Sequence, residues 1–398
     1  PLPRAATRSN CLPMSSLDPV RLTQDLIRRP SVTPADAGAM DVLEAELAKL
    51  GFVCRRMRFG EIENLYARWG TARPNLCFAG HTDVVPVGDA GAWSHDAFAA
   101  KIVDDILIGR GAVDMKSALA AFAAAAAAAL ARGDVTGSLS FLITGDEEGI
   151  AVDGTKKVVE ALMAEGELVD HCVVGEPTSA ETFGDMVKIG RRGSINAEIV
   201  VEGRQGHVAY PHRAANPVPV LVRILAALDA HVLDEGYTGF QPSNLEITTV
   251  DVGNAATNVI PAQAKARVNI RFNPGHRGAD LAAWIEGVAQ AKAEGFDGAV
   301  RVTPSISGEA FLTEPGDFTD VVAAAVRDVA GRDPELSTTG GTSDARFIRA
   351  LCPVVELGLV GKTMHAVDER APVAEIRDLQ AVYERLIARY FARFGSPS

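Results

Sequence analysis

Apolar positions along the first part of the chain switch repeatedly between helical and strand periods. Residues 18–28 and 39–50 carry helical spacing, and short β-rich runs follow at 64–69, 76–79, 139–144 and 172–174. Helices alternating with short strands predict an α/β sheet covered on both faces. The stretch 118–131 is nearly all alanine; Gly133 stands where a C-cap would, so this stretch reads as a buried helix. Between about 191 and 304 the order changes to strand (194–201), helix (217–233), strands (245–252 and 264–272), helix (279–293) and strand (300–304). That β-α-β-β-α-β order predicts a small split-βαβ domain inserted into the larger one. The α/β pattern then resumes, with a helix at 318–329 and a strand at 353–357. The expected division is a larger domain of 14–190 and 306–398 around an inserted domain of 191–305. Residues 1–13 read as a disordered extension before a natural start at Met14.

Composition narrows the function. With 398 residues, 47% of them hydrophobic, the chain can bury a sizeable core. Its formal charge of -12 disfavours nucleic acid or an anionic membrane as main partner. The alanine-rich stretch is too short and too weakly apolar to span a bilayer, and the N-terminus lacks the apolar core of a signal peptide. Cys11, Cys54, Cys77, Cys172 and Cys352 are odd in number, scattered, and form no CxxC pair. A disulfide framework or thiolate zinc site is not expected, and a cytoplasmic setting fits.

Five segments place metal-competent side chains after strand-like runs: FAGHTDVVP (His81, Asp83), GRGAVDMKS (Asp114), ITGDEEG (Glu147, Glu148), VVGEPT (Glu176) and GKTMHAVDE (His365). In an open α/β sheet, sites lie beyond the carboxyl ends of the strands, so distant segments can converge in one cleft. Taken singly each is weak; Asp114 alone reads better as an N-cap for the alanine-rich helix. Together, two imidazoles and three carboxylates without a thiolate suit zinc, with cobalt or manganese as alternatives. Two divalent ions, the carboxylates of Asp114, Glu148 and Glu176, and one hydroxide sum to zero charge, which favours a dinuclear site bridged by Asp114. Of the adjacent acids Glu147 and Glu148, one can bind metal while its neighbour handles a proton. Asp83 can accept the remaining N–H of His81.

These segments, in this order between about Leu17 and Tyr390, resemble the M20 family of metallopeptidases and deacylases. The resemblance implies a zinc-peptidase-like α/β catalytic domain with an inserted α+β, ferredoxin-like lid that dimerises. It implies His81 and Glu176 on one zinc, Glu148 and His365 on the other, Asp114 bridging, and Glu147 as general acid/base. Further segments, VKIGRRGS, GRQGHVAYPH, TNVIP, VNIRF and GGTSDARF, point to members that hydrolyse N-succinyl-LL-diaminopimelate. They bring in His207 as an oxyanion donor supplied by the partner of a homodimer, and Arg191, Ser194, Tyr210, Asn258, Arg271, Gly341 and Thr342 as substrate contacts. The apolar residues Val218, Val220, Leu221, Ile224, Leu225 and Leu228 are the expected dimer patch. Where many relatives read Asn-x-Thr before the metal histidine, this chain has Gly361-Lys362-Thr363. Other deacylations (acetylornithine, acyl amino acids), dipeptide cleavage and a non-catalytic metal-binding scaffold remain alternatives. His95, His171, His231 and His276 read as surface or core residues, and His212 as part of a turn.

Overall fold

A computed structural model describes residues 17–395, so the expected extension and Met14 lie outside the described residues. The fold is mixed α/β and divides into two compact units. Among the described residues the larger comprises 17–187, 315–335 and 351–395, and the smaller 188–314 and 336–350. The segment 336–350, which includes Gly341 and Thr342, groups with the smaller unit.

The larger unit is built on an eight-stranded sheet, six of whose strands run in the order Val53–Phe59, Ile62–Trp69, Ser138–Thr144, Asn75–His81, His171–Val174, Val354–Glu356. The last four of these six are parallel to one another and the first two antiparallel. The parallel strands Asn75–His81 and Ser138–Thr144 are buried along their whole length, as expected of a sheet covered on both faces. On it lies the helix Lys116–Arg132, which ends at Gly133 in the left-handed region (φ 76°) and packs against Val373–Phe394 and Pro19–Ile27. Pro19–Ile27 starts where Asp18 accepts the N–H of Val20 and Pro19 supplies the first position. Phe78, Phe122, Phe141 and Tyr383 form an aromatic centre, with the Phe78 and Phe122 rings 4.2 Å apart.

The smaller unit is an antiparallel four-stranded sheet, ordered Asn244–Asp251, Gln263–Phe272, Gly193–Glu202, Ala299–Gly308, carrying the helices Pro217–Asp229 and Gly278–Lys292. This spatial order follows from the split-βαβ connectivity: each helix links two parallel strands and leaves one strand's width between them. The first of these helices stops at Asp229, four residues before the predicted end. Its apolar stripe also corrects an expectation. Val220, Leu221, Ile224, Leu225 and Leu228 are buried in the unit's own core with Ile195, Ile199, Val268 and Ile285, and Val218 packs against that core. The stripe is therefore consumed within the chain and is not a spare dimer patch.

Besides several short elements, three longer ones were not among those predicted. The strand Val53–Phe59 is obscured by Arg55, Arg56 and Arg58, which reach outward to acids such as Glu165 and Glu44. Thr155–Ala164 is a short surface helix. Val373–Phe394 carries a plain helical stripe, with Ile376, Leu379, Tyr383, Leu386 and Tyr390 buried. Among the described residues no helix is long and apolar enough to cross a membrane.

Candidate metal centre

Three of the expected ligand segments leave neighbouring parallel strands at their carboxyl ends. His81 closes Asn75–His81, Glu147 and Glu148 follow Ser138–Thr144, and Glu176 follows His171–Val174. Asp114 comes from the loop leading into Lys116–Arg132, and His365 from the loop after the short turn Gly361–Thr363. Asp114 does not cap that helix: the N-cap position is Met115, with no side-chain cap. Glycines let the helix start close in on the strands. A Cβ at Gly80 or Gly175 would fall 2.2 or 2.7 Å from the Met115 methyl group.

All five expected ligands lie in the larger unit and meet. His81 Nε2 is 3.1 Å from Asp114 Oδ1 and 3.8 Å from Glu176 Oε1. His365 Nε2 is 3.3 Å from Asp114 Oδ2 and 2.9 Å from Glu148 Oε1. Asp114 thus turns one oxygen to each imidazole, as a bridging carboxylate would. Donor atoms of His81, Glu147 and Glu176, and of His81, Asp114 and Glu148, lie within 4.8 Å of one another in each group. By distance alone Glu147 also belongs among possible ligands.

His81 Nδ1 lies 2.9 Å from the backbone carbonyl of Asp83. A carbonyl only accepts, so Nδ1 carries a proton, and Nε2, facing Asp114, is the nitrogen that would ligate once a cation replaces its proton. The Asp83 carboxylate, expected in that role, is 3.6 Å away. It accepts instead the backbone N–H groups of Glu147 at 3.2 Å and Glu148 at 3.0 Å, fixing the acidic turn beside His81. Asp146 braces the same turn by accepting from Val152 and Asp153.

The electrostatics are those of a cluster short of positive charge. Burial, then the charges of Asp114 and Glu147, push the Glu176 carboxyl well above its ordinary range. Burial lifts Asp83 to about 6 despite His81 and the two backbone donors. Hydrogen bonds to Asp114 and Glu148 hold the His365 imidazole at about 10. At His81, burial disfavours the proton, but Asp114, Asp83 and Glu176 outweigh it and raise the imidazole well above normal. Asp114 is held low by His365 and His81, against its burial. Both imidazoles are drawn toward the charged form to balance the acids, which is the role a cation would take.

The remaining candidates lie in the smaller unit, in three groups. His207 pairs with Val259 in a two-residue bridge; its Nδ1 accepts from Ala209, its ring is 5.8 Å from that of Tyr210, and Val208 donates to the carbonyl of Asn258. Ser194 lies opposite Arg271 in the sheet, and Arg271 opposite Asn244, which receives a hydrogen bond from Arg192. Burial and the Arg192 charge lower the Arg271 guanidinium, and Arg192 Nε is buried without a partner. Arg191 donates to the Thr339 carbonyl, beside Gly341 and Thr342, and its guanidinium packs where a Cβ on Gly340 would stand. Of the bland readings, His276 is satisfied by Asp234 and His171 by Tyr390. Sequence reasoning missed Arg110 and Glu369, both buried beside the Asp114 and His365 loops; each stands within a quoted motif, as the Arg of GRGAVD and the Glu of MHAVDE.

Residues 77–389 match the family described as Peptidase family M20/M25/M40. A succinyl-diaminopimelate desuccinylase of Phenylobacterium zucineum (strain HLK1) is 77% identical over 378 residues, covering 95% of this chain and 100% of the relative. An M20 family metallo-carboxypeptidase from Sulfolobus solfataricus superposes with a TM-score of 0.77 at 17% identity, over 94% of this chain and 99% of that one. A dinuclear metal binding peptidase of the M20 family from Bacillus subtilis does so with a TM-score of 0.71 at 16% identity, over 94% and 97%. At such identities the solved structures speak for the fold alone. With the family match spanning most of the chain and all the clustered side chains, the chain belongs to peptidase family M20/M25/M40.

Proposed function

We propose that the chain is a dinuclear-metal amidohydrolase that cleaves N-succinyl-LL-2,6-diaminopimelate to succinate and LL-2,6-diaminopimelate. The observation that carries the chemistry is the meeting of His81, Asp114, Glu148, Glu176 and His365 with a further carboxylate, Glu147, alongside. The substrate rests on the 77% identical relative named for that reaction.

The residues fit a pair of divalent ions. Glu176 Oε1 is buried without a hydrogen-bond partner, an arrangement that costs free energy unless a cation sits against it. The donors are imidazole and carboxylate, which suits zinc, with cobalt as the alternative. We assign His81 and Glu176 to one ion, Glu148 and His365 to the other, and Asp114 to both. Bound there, the ions would polarise the acyl carbonyl and acidify water. Glu147 takes the proton from the attacking water and returns it to the leaving amine. Asp83 holds the Glu147–Glu148 turn in place, and His207 donates to the acyl oxygen as negative charge grows on it.

The substrate carries three carboxylates, and the planar forks of Arg191 and Arg271 match them. Ser194, Tyr210, Asn258, Gly341 and Thr342 complete the contacts. We read the enzyme as a cytoplasmic homodimer with no nucleic-acid or membrane partner. The strand Asn244–Asp251, which closes one edge of the smaller sheet, offers a surface for pairing with a second copy. Turnover of succinyl-diaminopimelate, acetylornithine and dipeptides with zinc or cobalt supplied tests the reading. Fastest release of succinate supports it, faster acetylornithine hydrolysis overturns the substrate, and no turnover of any of them leaves a binding scaffold.

A further inference from the structure

Glu369 is fully buried, and both its oxygens accept from the loop that carries Asp114. Oε1 accepts the backbone N–H groups of Val113 at 2.8 Å and Asp114 at 3.1 Å. Oε2 accepts from Arg110 at 2.8 Å. Arg110, also buried, donates onward to the carbonyls of Ala366 at 3.2 Å and His365 at 3.3 Å, and to that of Pro86 at 3.3 Å. Its guanidinium lies 5.3 Å from the Trp93 ring. One ion pair therefore grips the backbone of Asp114 on one side and that of His365 on the other. His365 needs such a grip. Its φ of 60° lies in the left-handed region, a conformation strained for a non-glycine residue. His81, Glu148 and Glu176 are held by other means: their own strand ends and the Asp83 carboxylate.

We propose that Arg110 and Glu369 are positioning residues that set the spacing of Asp114 and His365, and so govern occupancy of one metal position selectively. This rests on the dinuclear reading above. The position formed by Asp114, Glu148 and His365 depends on the pair through two of its ligands; that formed by His81 and Glu176 shares only Asp114 with it. A buried ion pair that served only the fold would lower stability and leave the ratio of the two metal affinities alone.

Calorimetric titration of the metal-free full chain with Zn2+ separates the cases, with His365→Ala and Glu176→Ala marking which binding step belongs to which position. Glu369→Gln keeps the shape and removes the charge; Arg110→Lys keeps the charge and removes the fork. The double variant Arg110→Met/Glu369→Met leaves no unpaired buried charge. In each, affinity at the His365 step should fall about 10–100-fold, and the other step, which shares only Asp114, at least about 3-fold less. Folded variants with both steps unchanged, or both weakened alike, would overturn the proposal, as would failure of all three to fold. Wild-type protein binding fewer than two ions would overturn the dinuclear reading and this proposal with it.

Discussion

His365 Nε2 lies 2.9 Å from Glu148 Oε1, although 217 residues separate them in the chain. Only the return of the chain to the larger unit after the inserted segment brings the last metal-competent histidine back to the acidic turn.

That contact makes metal binding separable by mutation. Wild-type protein should bind two divalent ions per chain. Glu148→Gln should weaken one binding step by at least about 10-fold, and Glu176→Gln the other. Equilibrium dialysis with elemental analysis reads this directly. One ion at saturation in the wild type, or both carboxylates acting on the same step, contradicts the assignment.

The Arg271 environment predicts how substrate is held. Two guanidinium groups, Arg192 and Arg271, stand close enough for one to depress the other, an arrangement relieved by an anion. Arg271→Lys and Arg191→Lys should each raise KM about 10-fold with kcat within about 3-fold, because an ammonium cannot reproduce the planar fork. Steady-state kinetics showing a fall in kcat at unchanged KM would point away from ground-state carboxylate binding.

Acid sensitivity of the smaller unit should trace to Asp234. Its burial is outweighed by donors from Ser243, Gly236 and His276, which hold it at about 2, below the ordinary 3.8. A folded-state value below the unfolded one stabilises above about pH 4 and is lost as pH falls toward 2. Asp234→Asn should therefore cost about 1–2 kcal/mol at pH 7, after allowance for solvent screening. The difference in urea midpoint should shrink as pH drops below 4; equal midpoints at pH 7 would refute the idea.

Much of the larger unit was legible because its parallel strands are short, apolar and end in chemistry. The runs before His81, Glu147 and Glu176 announce both the strand and the residue that leaves it. Asp114 and His365 were found as residues, but what holds them was not. Arg110 and Glu369 are neighbours only in the fold, and a buried Arg–Glu pair looks in sequence like two solvated charges. Asp83 was singled out but with the wrong atoms: its carbonyl serves His81, while its carboxylate serves the backbone of Glu147 and Glu148. The apolar stripe of Pro217–Asp229 illustrates the opposite error, since a hydrophobic helix face cannot by itself say whether its partner is its own sheet or another chain.

The role of His207 can be assigned to one chain or the other by mixing. His207→Ala and Glu147→Ala chains should each be inactive alone. Co-refolded or co-expressed, they should recover up to about a quarter of wild-type activity if His207 serves the partner's site: half the dimers are mixed, and one site in each regains both groups. No recovery from verified mixed dimers would place His207 in its own chain's site.

The account turns on Glu147 moving a proton while its neighbour binds metal. The most direct measurement is kcat of Glu147→Gln with its metal content determined on the same sample. Two ions still bound, KM within about 3-fold of wild type and kcat reduced about 10²–10⁴-fold would match a general acid/base acting beside an intact dinuclear site. Near-normal kcat, or loss of an ion along with the activity, would contradict that role for Glu147.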